Sequence, residues 1–352
     1  MKSYDSIVIG AGQAGLAAAY YLHKKGLKYL VLEDSNQTAG SWTKYYNSLR
    51  LFSPARYSSL PGFKFPGNPN RYPTKDEVIS YLNQYANHFN LNIRTEEKVI
   101  EVRKEGSSFV ISTENENVYY SKTVISATGA FSCPNIPKID GSEIYKGKII
   151  HSSQYKNADE YENQNIVVVG GGNSAVQIAY ELSKVSNVSI ATRNPITFKP
   201  QRILGKDIHF WFKVTGVDIL PYGRKFSMNT SIIDTGIYKQ AISKGNPERK
   251  IMFKKFTEDG IIWGDGREEK VDTIIYATGF RPNVNYLSSL INAIDSFGNP
   301  IHNKGVSTTI SGLYYIGLSG QRSFSSATIR GVGSDANYIV KKITKLTVVA
   351  FL

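Results

Sequence analysis

The chain has a single cysteine, Cys133, in 352 residues. That excludes a disulfide framework, a cysteine-rich zinc or iron–sulfur centre and an intramolecular redox dithiol, and it implies a reducing compartment. Acidic residues are also scarce, 29 against 42 lysines and arginines, for a formal net charge of +13. Such a balance suits an anionic partner: nucleic acid, a membrane surface or an anionic cofactor. No recognisable nucleic-acid module accompanies it. Long apolar runs are missing too. One of the longest uncharged stretches, Ser6 to Leu22, is shorter than the roughly 20 residues a spanning helix needs, and Asp5 spoils it as a secretory signal. A cytoplasmic protein is expected, with a homodimer and a peripheral membrane or transporter contact left open.

What is present is enough apolar residue, 41% of the chain, to bury a sizeable core, and enough length for two domains. The charge is uneven, because Arg193 to Lys255 carries 13 basic residues against 4 acidic. The chain also echoes itself. Ser6-Ile7-Val8-Ile9 reads as a strand running into the turn Gly10-Ala11-Gly12-Gln13-Ala14-Gly15, then a helix from Leu16 to Lys25 and a strand Tyr29 to Leu32 ending at Glu33. Ile166 to Val169 leads likewise into Gly170-Gly171-Gly172-Asn173-Ser174-Ala175, a helix from Ala175 to Lys184, and a strand Val188 to Ala191 ending at Thr192-Arg193. Each unit later meets an apolar strand ending in Ala-Thr-Gly, at Ala127-Thr128-Gly129 and Ala277-Thr278-Gly279. These are two βαβ dinucleotide-binding units.

The fold expected is α/β, with two Rossmann-like domains, one inserted in the other, each with a small antiparallel sheet. Residues 97–120 and 251–272 alternate apolar and polar in the way those small sheets require. Residues 1–155 and 276–352 are assigned to the first domain and 156–275 to the second. The Pro-rich stretch Cys133 to Pro137 reads as a crossing between them, Leu313 to Ile316 as a strand and Ala327 onward as the last helix.

In the first turn, Gly10 permits the tight bend, Gly12 lets backbone approach a pyrophosphate, and Gly15 allows close helix–strand packing. Glu33 follows Gly15 by 18 residues, where an acceptor for adenosine-ribose hydroxyls belongs. The second turn keeps Gly170 and Gly172 with Ala175 third, and ends at Arg193 where an acid would repel phosphate. A guanidinium there suits an adenosine 2′-phosphate, with Lys199 and Arg202 as further partners. His151 is a linker or a cofactor contact, and Phe210-Trp211-Phe212 with Leu220-Pro221 is a pocket lid, a packing cluster or a contact surface.

Further motifs carry a resemblance. Tyr145, Gly147, His151 and Tyr155 stand at the spacing of the flavin-containing monooxygenase fingerprint, Gly172 to Ala175 and Ala277 to Phe280 match two further motifs, and Gly40-Ser41-Trp42 looks like a flavin-contacting element. The chain resembles that family over nearly its whole length, especially small bacterial flavoproteins associated with cation transport, and Tyr72-Pro73-Thr74-Lys75 is similar to the plant auxin-forming monooxygenases. The resemblance implies FAD on the first domain, contacting Gln13, Ala14, Asp34, Val99, Gly317, Leu318, Thr328 and Ile329 besides the residues above. It implies NADPH on the second, with Asn173, Ser174 and Thr192 beside Arg193. NADPH would reduce the flavin, which would activate oxygen toward a small soft nucleophile or carbonyl compound. Two departures from the pattern matter. Lys156 follows Tyr155 where ketone-oxygenating relatives have Trp-Pro, and the flavin-facing Thr-Asn is absent from residues 47–60, leaving Ser53 as the nearest polar candidate for a catalytic contact. The alternatives are an NADPH oxidase or diaphorase releasing hydrogen peroxide, and a redox-sensing flavoprotein that regulates a membrane cation transporter.

Overall fold

The computed structural model describes residues 3–220 and 231–349. Pro221 and residues 222–230 of the basic segment therefore lie outside the described residues. Two sheets dominate. The first has nine strands, ordered His302–Asn303, Val306–Ser307, Leu313–Tyr315, Val118–Ser126, Ser3–Ile9, Tyr29–Leu32 and Ile93–Arg94, with the hairpin Val99–Glu105 and Ser108–Thr113 attached through Val118–Ser126. From Leu313–Tyr315 to Ile93–Arg94 all neighbours are parallel.

The first strand, Ser3–Ile9, is apolar from Ile7 to Ile9 because its sheet is covered on both faces there. Ile7 and Ile9 pack with Leu30, Leu32, Val124 and Tyr315, while Val8 packs on the opposite side with Val31, Ile125 and Tyr314. Helices Gln13–Lys24, Lys75–His88 and Ile329–Val349 cover the Val8 face, and the hairpin covers the other. The second sheet is wholly parallel, ordered Glu248–Ile251, Asn187–Thr192, Asn165–Val169, Thr273–Tyr276 and Lys148–His151. Its central strands alternate in the same way, Ile166 and Val168 against Val167 and Val169. A three-stranded antiparallel sheet, Lys255–Phe256, Gly260–Ile262 and Glu268–Lys270, lies where the alternation at 251–272 places it.

The boundaries differ from the sequence expectation in instructive places. Both glycine-turn helices begin earlier, at Gln13 and Asn173, because Gly12 and Gly172 themselves are the N-caps. The last helix begins at Ile329, not Ala327, because Ala327 has φ +70°, which a right-handed helix cannot hold. Cys133–Pro134 is not a bare crossing, since it pairs antiparallel with Phe280–Arg281. Lys148–His151, placed by sequence with residues 1–155, hydrogen-bonds into the second sheet.

Candidate functional site: a glycine-lined cleft and a second glycine turn

The first turn opens onto a cleft of about 600 Å³ lined by Gly10, Gly12, Gln13, Ala14, Glu33, Asp34, Gly40, Ser41, Val99, Thr128, Gly129 and Gly317. Chain segments far apart in sequence thus converge on one face of the turn. Gly10 has φ +100°, and a Cβ there would sit 3.0 Å from the Ala127 carbonyl oxygen. At Gly15 a Cβ would fall 1.8 Å from the Gly10 carbonyl oxygen, so helix and strand touch there through backbone. Gly40 also approaches Gly12, its notional Cβ lying 2.9 Å from the Gly12 Cα. At Gly12 the conformation is ordinary and a Cβ would meet only the Gly40 Cα, at 3.8 Å.

The helix above this turn has no side-chain cap and no acid in its first turn. The helix Asn173–Leu182 is uncapped in the same way. By contrast, Lys75–His88 carries a complete capping box, Thr74 accepting from the Glu77 N–H and Glu77 accepting from the Thr74 N–H. The two glycine turns therefore leave their N-terminal donors to a ligand, and a helix N-terminus favours an anion. Glu33 is buried on the cleft wall; its carboxylate accepts from the Ala11 N–H at 2.5 Å and from the Ser35 hydroxyl at 2.7 Å. These bonds hold both the turn and the acid in place.

Not every expected residue reaches the cleft. The Trp42 indole N–H donates to Gln13 Oε1 at 2.7 Å, and Gln13 Nε2 donates to the Ala327 carbonyl at 3.1 Å. Trp42 thus orients Gln13, which with Ala327 lines the wall. Leu318 lines an adjoining cleft with Phe131, Phe280 and Arg322. The Thr328 hydroxyl donates to the Ser325 carbonyl, and Ile329 is buried in the core. Ser53 does not line the cleft, and its hydroxyl pairs with that of Ser58 at 2.8 Å. Lys44, Tyr45, Lys98, Lys156 and Tyr286 also line it, beyond the residues expected from the sequence. Lys44 and Tyr45 close the short turn that begins at Gly40, Tyr286 lies in another short turn, and Lys98 and Lys156 lie in connecting segments, none of them at a position whose residue type marks a site.

The second turn repeats the first in space. Gly170 has φ +138°, and its Cβ would lie 2.4 Å from the Ala277 carbonyl oxygen, as Gly10 meets Ala127. Ala175 is fully buried beneath the turn, and nothing lies within 4 Å of a Cβ on Gly172. Thr192 is buried and accepts a hydrogen bond from Arg249 Nε at 2.8 Å. Arg193 is exposed just beyond that strand, while Lys199 is partly exposed and Arg202 exposed. Arg249, on the neighbouring strand, is a further cation at this sheet edge that sequence spacing could not reveal.

The fingerprint residues pack on both faces of the second sheet, Tyr155 with Ile166 and Val168 and Tyr145 with Val167 and Val169. The Tyr145 hydroxyl donates to the Val271 carbonyl, a Cβ at Gly147 would strike the Tyr145 ring, and Tyr155 is fully buried. His151 is buried as well, and burial pushes its pKa down against the bond to Gly279. The Ser153 N–H points at His151 Nδ1, leaving Nε2–H to donate to the Gly279 carbonyl at 3.0 Å. A neutral His151 therefore ties the second Ala-Thr-Gly to the fingerprint. Phe210, Trp211 and Phe212 form the helix Ile208–Val214, where Phe212 packs edge-on against His209 and Phe324.

Asp207 gathers the motif that contains Tyr72. Its carboxylate accepts from the Tyr72 hydroxyl at 2.6 Å, from Gln201 Nε2 at 2.7 Å and from His209 N–H at 2.9 Å, with His209 Nδ1 at 2.8 Å. Burial alone would raise its pKa, but these hydrogen bonds outweigh it and hold the carboxyl below its usual 3.8. A depressed acid stabilises the fold above its unfolded pKa and loses that contribution as pH falls through the folded value. Asp207→Asn should therefore melt below the parent at neutral pH, with the gap closing in acid below about pH 4, where the unfolded parent is protonated too. A constant gap across that range in thermal melts would contradict this.

Two glycine turns of matching geometry, each set at the carboxyl end of a parallel strand, mark a mixed α/β fold. The family described as pyridine nucleotide-disulphide oxidoreductase matches residues 7–217. The chain is 38% identical to the oxidoreductase CzcO of Bacillus subtilis over 97% of this chain and 99% of the relative. It is 29% identical to the indole-3-pyruvate monooxygenase YUCCA4 of Oryza sativa, over 97% of this chain and 87% of that one. The solved flavin-containing monooxygenase from Stenotrophomonas maltophilia superposes with a TM-score of 0.88 at 28% identity, covering 99% of this chain and all of that one. The chain belongs to the pyridine nucleotide-disulphide oxidoreductase family, among its flavin monooxygenase-like members close to CzcO. It is an enzyme of that class, and no described helix is long and apolar enough to cross a membrane.

Proposed function

We propose that this chain is an FAD-dependent oxidoreductase that uses NADPH to reduce the flavin and activate oxygen, oxygenating a small soft nucleophile or carbonyl compound. The observation that carries the reading is the glycine-lined cleft, where Gly10, Gly12 and Gly40 leave no side chain between an uncapped helix N-terminus and the cavity. FAD fits there. The helix N-terminus would meet its pyrophosphate, Glu33 its ribose, and Val99, Thr128 and Gly129 its adenosine end, while Gly40, Ser41 and Gly317 would leave room for the flavin. NADPH would lie against Gly170, Gly172, Asn173 and Ser174, with Arg193 on its 2′-phosphate. The bound pair supplies hydride transfer and oxygen chemistry. The chain's residues bind, orient and exclude water. Residues 1–155 and 276–352 are thus assigned to FAD and 156–275 to NADPH, as two Rossmann-like units, with Lys148–His151 and Tyr276 completing the second sheet.

A second reading, an NADPH oxidase releasing hydrogen peroxide, is favoured by one observation. Residues 47–60 lack the Thr-Asn that relatives place at the flavin, and the Ser53 hydroxyl is engaged by Ser58. Losing one neutral donor costs on the order of 1 kcal/mol, several-fold in the lifetime of oxygen activated for transfer. Slow NADPH oxidation without added substrate is expected, with most electrons recovered as peroxide. Little peroxide together with stoichiometric oxygenation of a nucleophile would show that another group replaces the asparagine.

A further inference from the structure

A third cleft, of about 460 Å³, lies between the loop at Arg56, Tyr57 and Ser59, the end of the helix Ile208–Val214, and the start of the last helix. Its lining is strongly basic: Arg56, Lys213, Arg322 and Arg330 against one acid, Asp218. Arg330 is spent on Asp218, with Nη2 to Oδ1 at 3.0 Å, and Arg322 reaches Asp335 at 3.2 Å. Arg56 and Lys213 form no ion pair among the described residues. Arg322 Nε is buried without a hydrogen-bond partner, and Ser59, Ser323 and Ser334 add hydroxyls to the lining, while that of Ser325 donates to the Asp218 carbonyl at 2.8 Å. Two uncompensated cations in one concave site beside hydroxyl donors call for an anion.

The cleft also adjoins the cofactor cleft. Ser325 lines the basic one and Ala327 the other; they lie two residues apart in a turn, so at most about 7 Å separates their Cα atoms. The Tyr57 ring, held against His209 at 6.3 Å, adds an aromatic surface between these charges and the core.

We propose that this cleft is the anion subsite for the substrate: Arg56 and Lys213 hold the carboxylate of a small organic acid whose other end lies along Ser325–Ala327 toward the cofactor cleft. The assignment rests on the oxygenase reading above, yet it is tested by binding alone. Isothermal titration of the FAD-loaded protein with phenylacetate and with its neutral amide, phenylacetamide, separates charge from shape. Phenylacetate should bind about tenfold or more tightly than the amide, and more weakly as salt rises. Arg56→Met and Lys213→Met should each weaken phenylacetate about three- to tenfold and leave the amide unchanged, with melting temperatures near the parent's because both side chains are exposed. Equal affinity for acid and amide, unaltered phenylacetate affinity in both variants, or inorganic phosphate binding in place of phenylacetate would each overturn the assignment. A protein that never takes up FAD fails the oxygenase reading instead, and the acid-to-amide comparison on that protein still reports on the cleft.

Discussion

Gly12→Val should purify without yellow colour and take up no added FAD, although it folds. Gly12 has φ −73° and ψ −173°, extended backbone that any residue adopts, and its notional Cβ meets only the Gly40 Cα at 3.8 Å. The space a side chain would fill is therefore cavity rather than protein. A side chain there would hold the pyrophosphate away from the helix N–H donors, and two lost charge-assisted hydrogen bonds at roughly 1.5–3 kcal/mol each would amount to at least about a hundredfold in affinity. Gly15→Ala is the contrasting variant: its Cβ would fall 1.8 Å from the Gly10 carbonyl oxygen, so it should fail by misfolding. Circular dichroism with flavin content separates the two. A yellow Gly12→Val protein with stoichiometric FAD would remove the first cleft as the flavin site.

Arg193→Ala should narrow the preference for NADPH over NADH by about ten- to a hundredfold, the value of one charge-assisted contact of roughly 1.5–3 kcal/mol. The loss should fall on NADPH alone, since the adenosine 2′-phosphate is the only group the two coenzymes do not share. Arg193 is exposed beyond the strand Asn187–Thr192, so its removal should leave the melting temperature unchanged. Arg249 gives the comparison. Its Nε is already engaged by the buried Thr192 hydroxyl, so Arg249→Ala should disturb the strand edge and affect both coenzymes. A full parental preference in Arg193→Ala would move the phosphate contact to Lys199 or Arg202.

The legible parts of this molecule are those where backbone geometry restricts the residue type. Gly15 and Gly170 could be read directly, because a Cβ on either would fall within 2.4 Å of a carbonyl oxygen, and Gly10 because its φ of +100° disfavours any side chain. The strands on either side were legible from apolar runs that two covered faces demand, as at Ile7, Val8 and Ile9. The fingerprint at Tyr145, Gly147 and His151 was legible as spacing, whereas its structural task, a neutral imidazole bonded to Gly279, emerged only from the packing. Lys44, Lys98 and Lys156 were not legible, since they enter the cleft from segments whose meeting depends on the tertiary fold. Ser53 was misleading for the opposite reason: a polar residue in the matching segment found a local partner in Ser58 and turned away from the cleft. Asp207 shows the same limit, because Tyr72 lies 135 residues away in the chain.

The most direct test of the account is anaerobic mixing of the purified protein with NADPH while the flavin absorbance is followed. The protein should be yellow, with a colour that bleaches with NADPH, much more slowly with NADH, and returns when oxygen is admitted. A protein that binds no flavin, or a bound flavin that stays oxidised under excess NADPH, would contradict it.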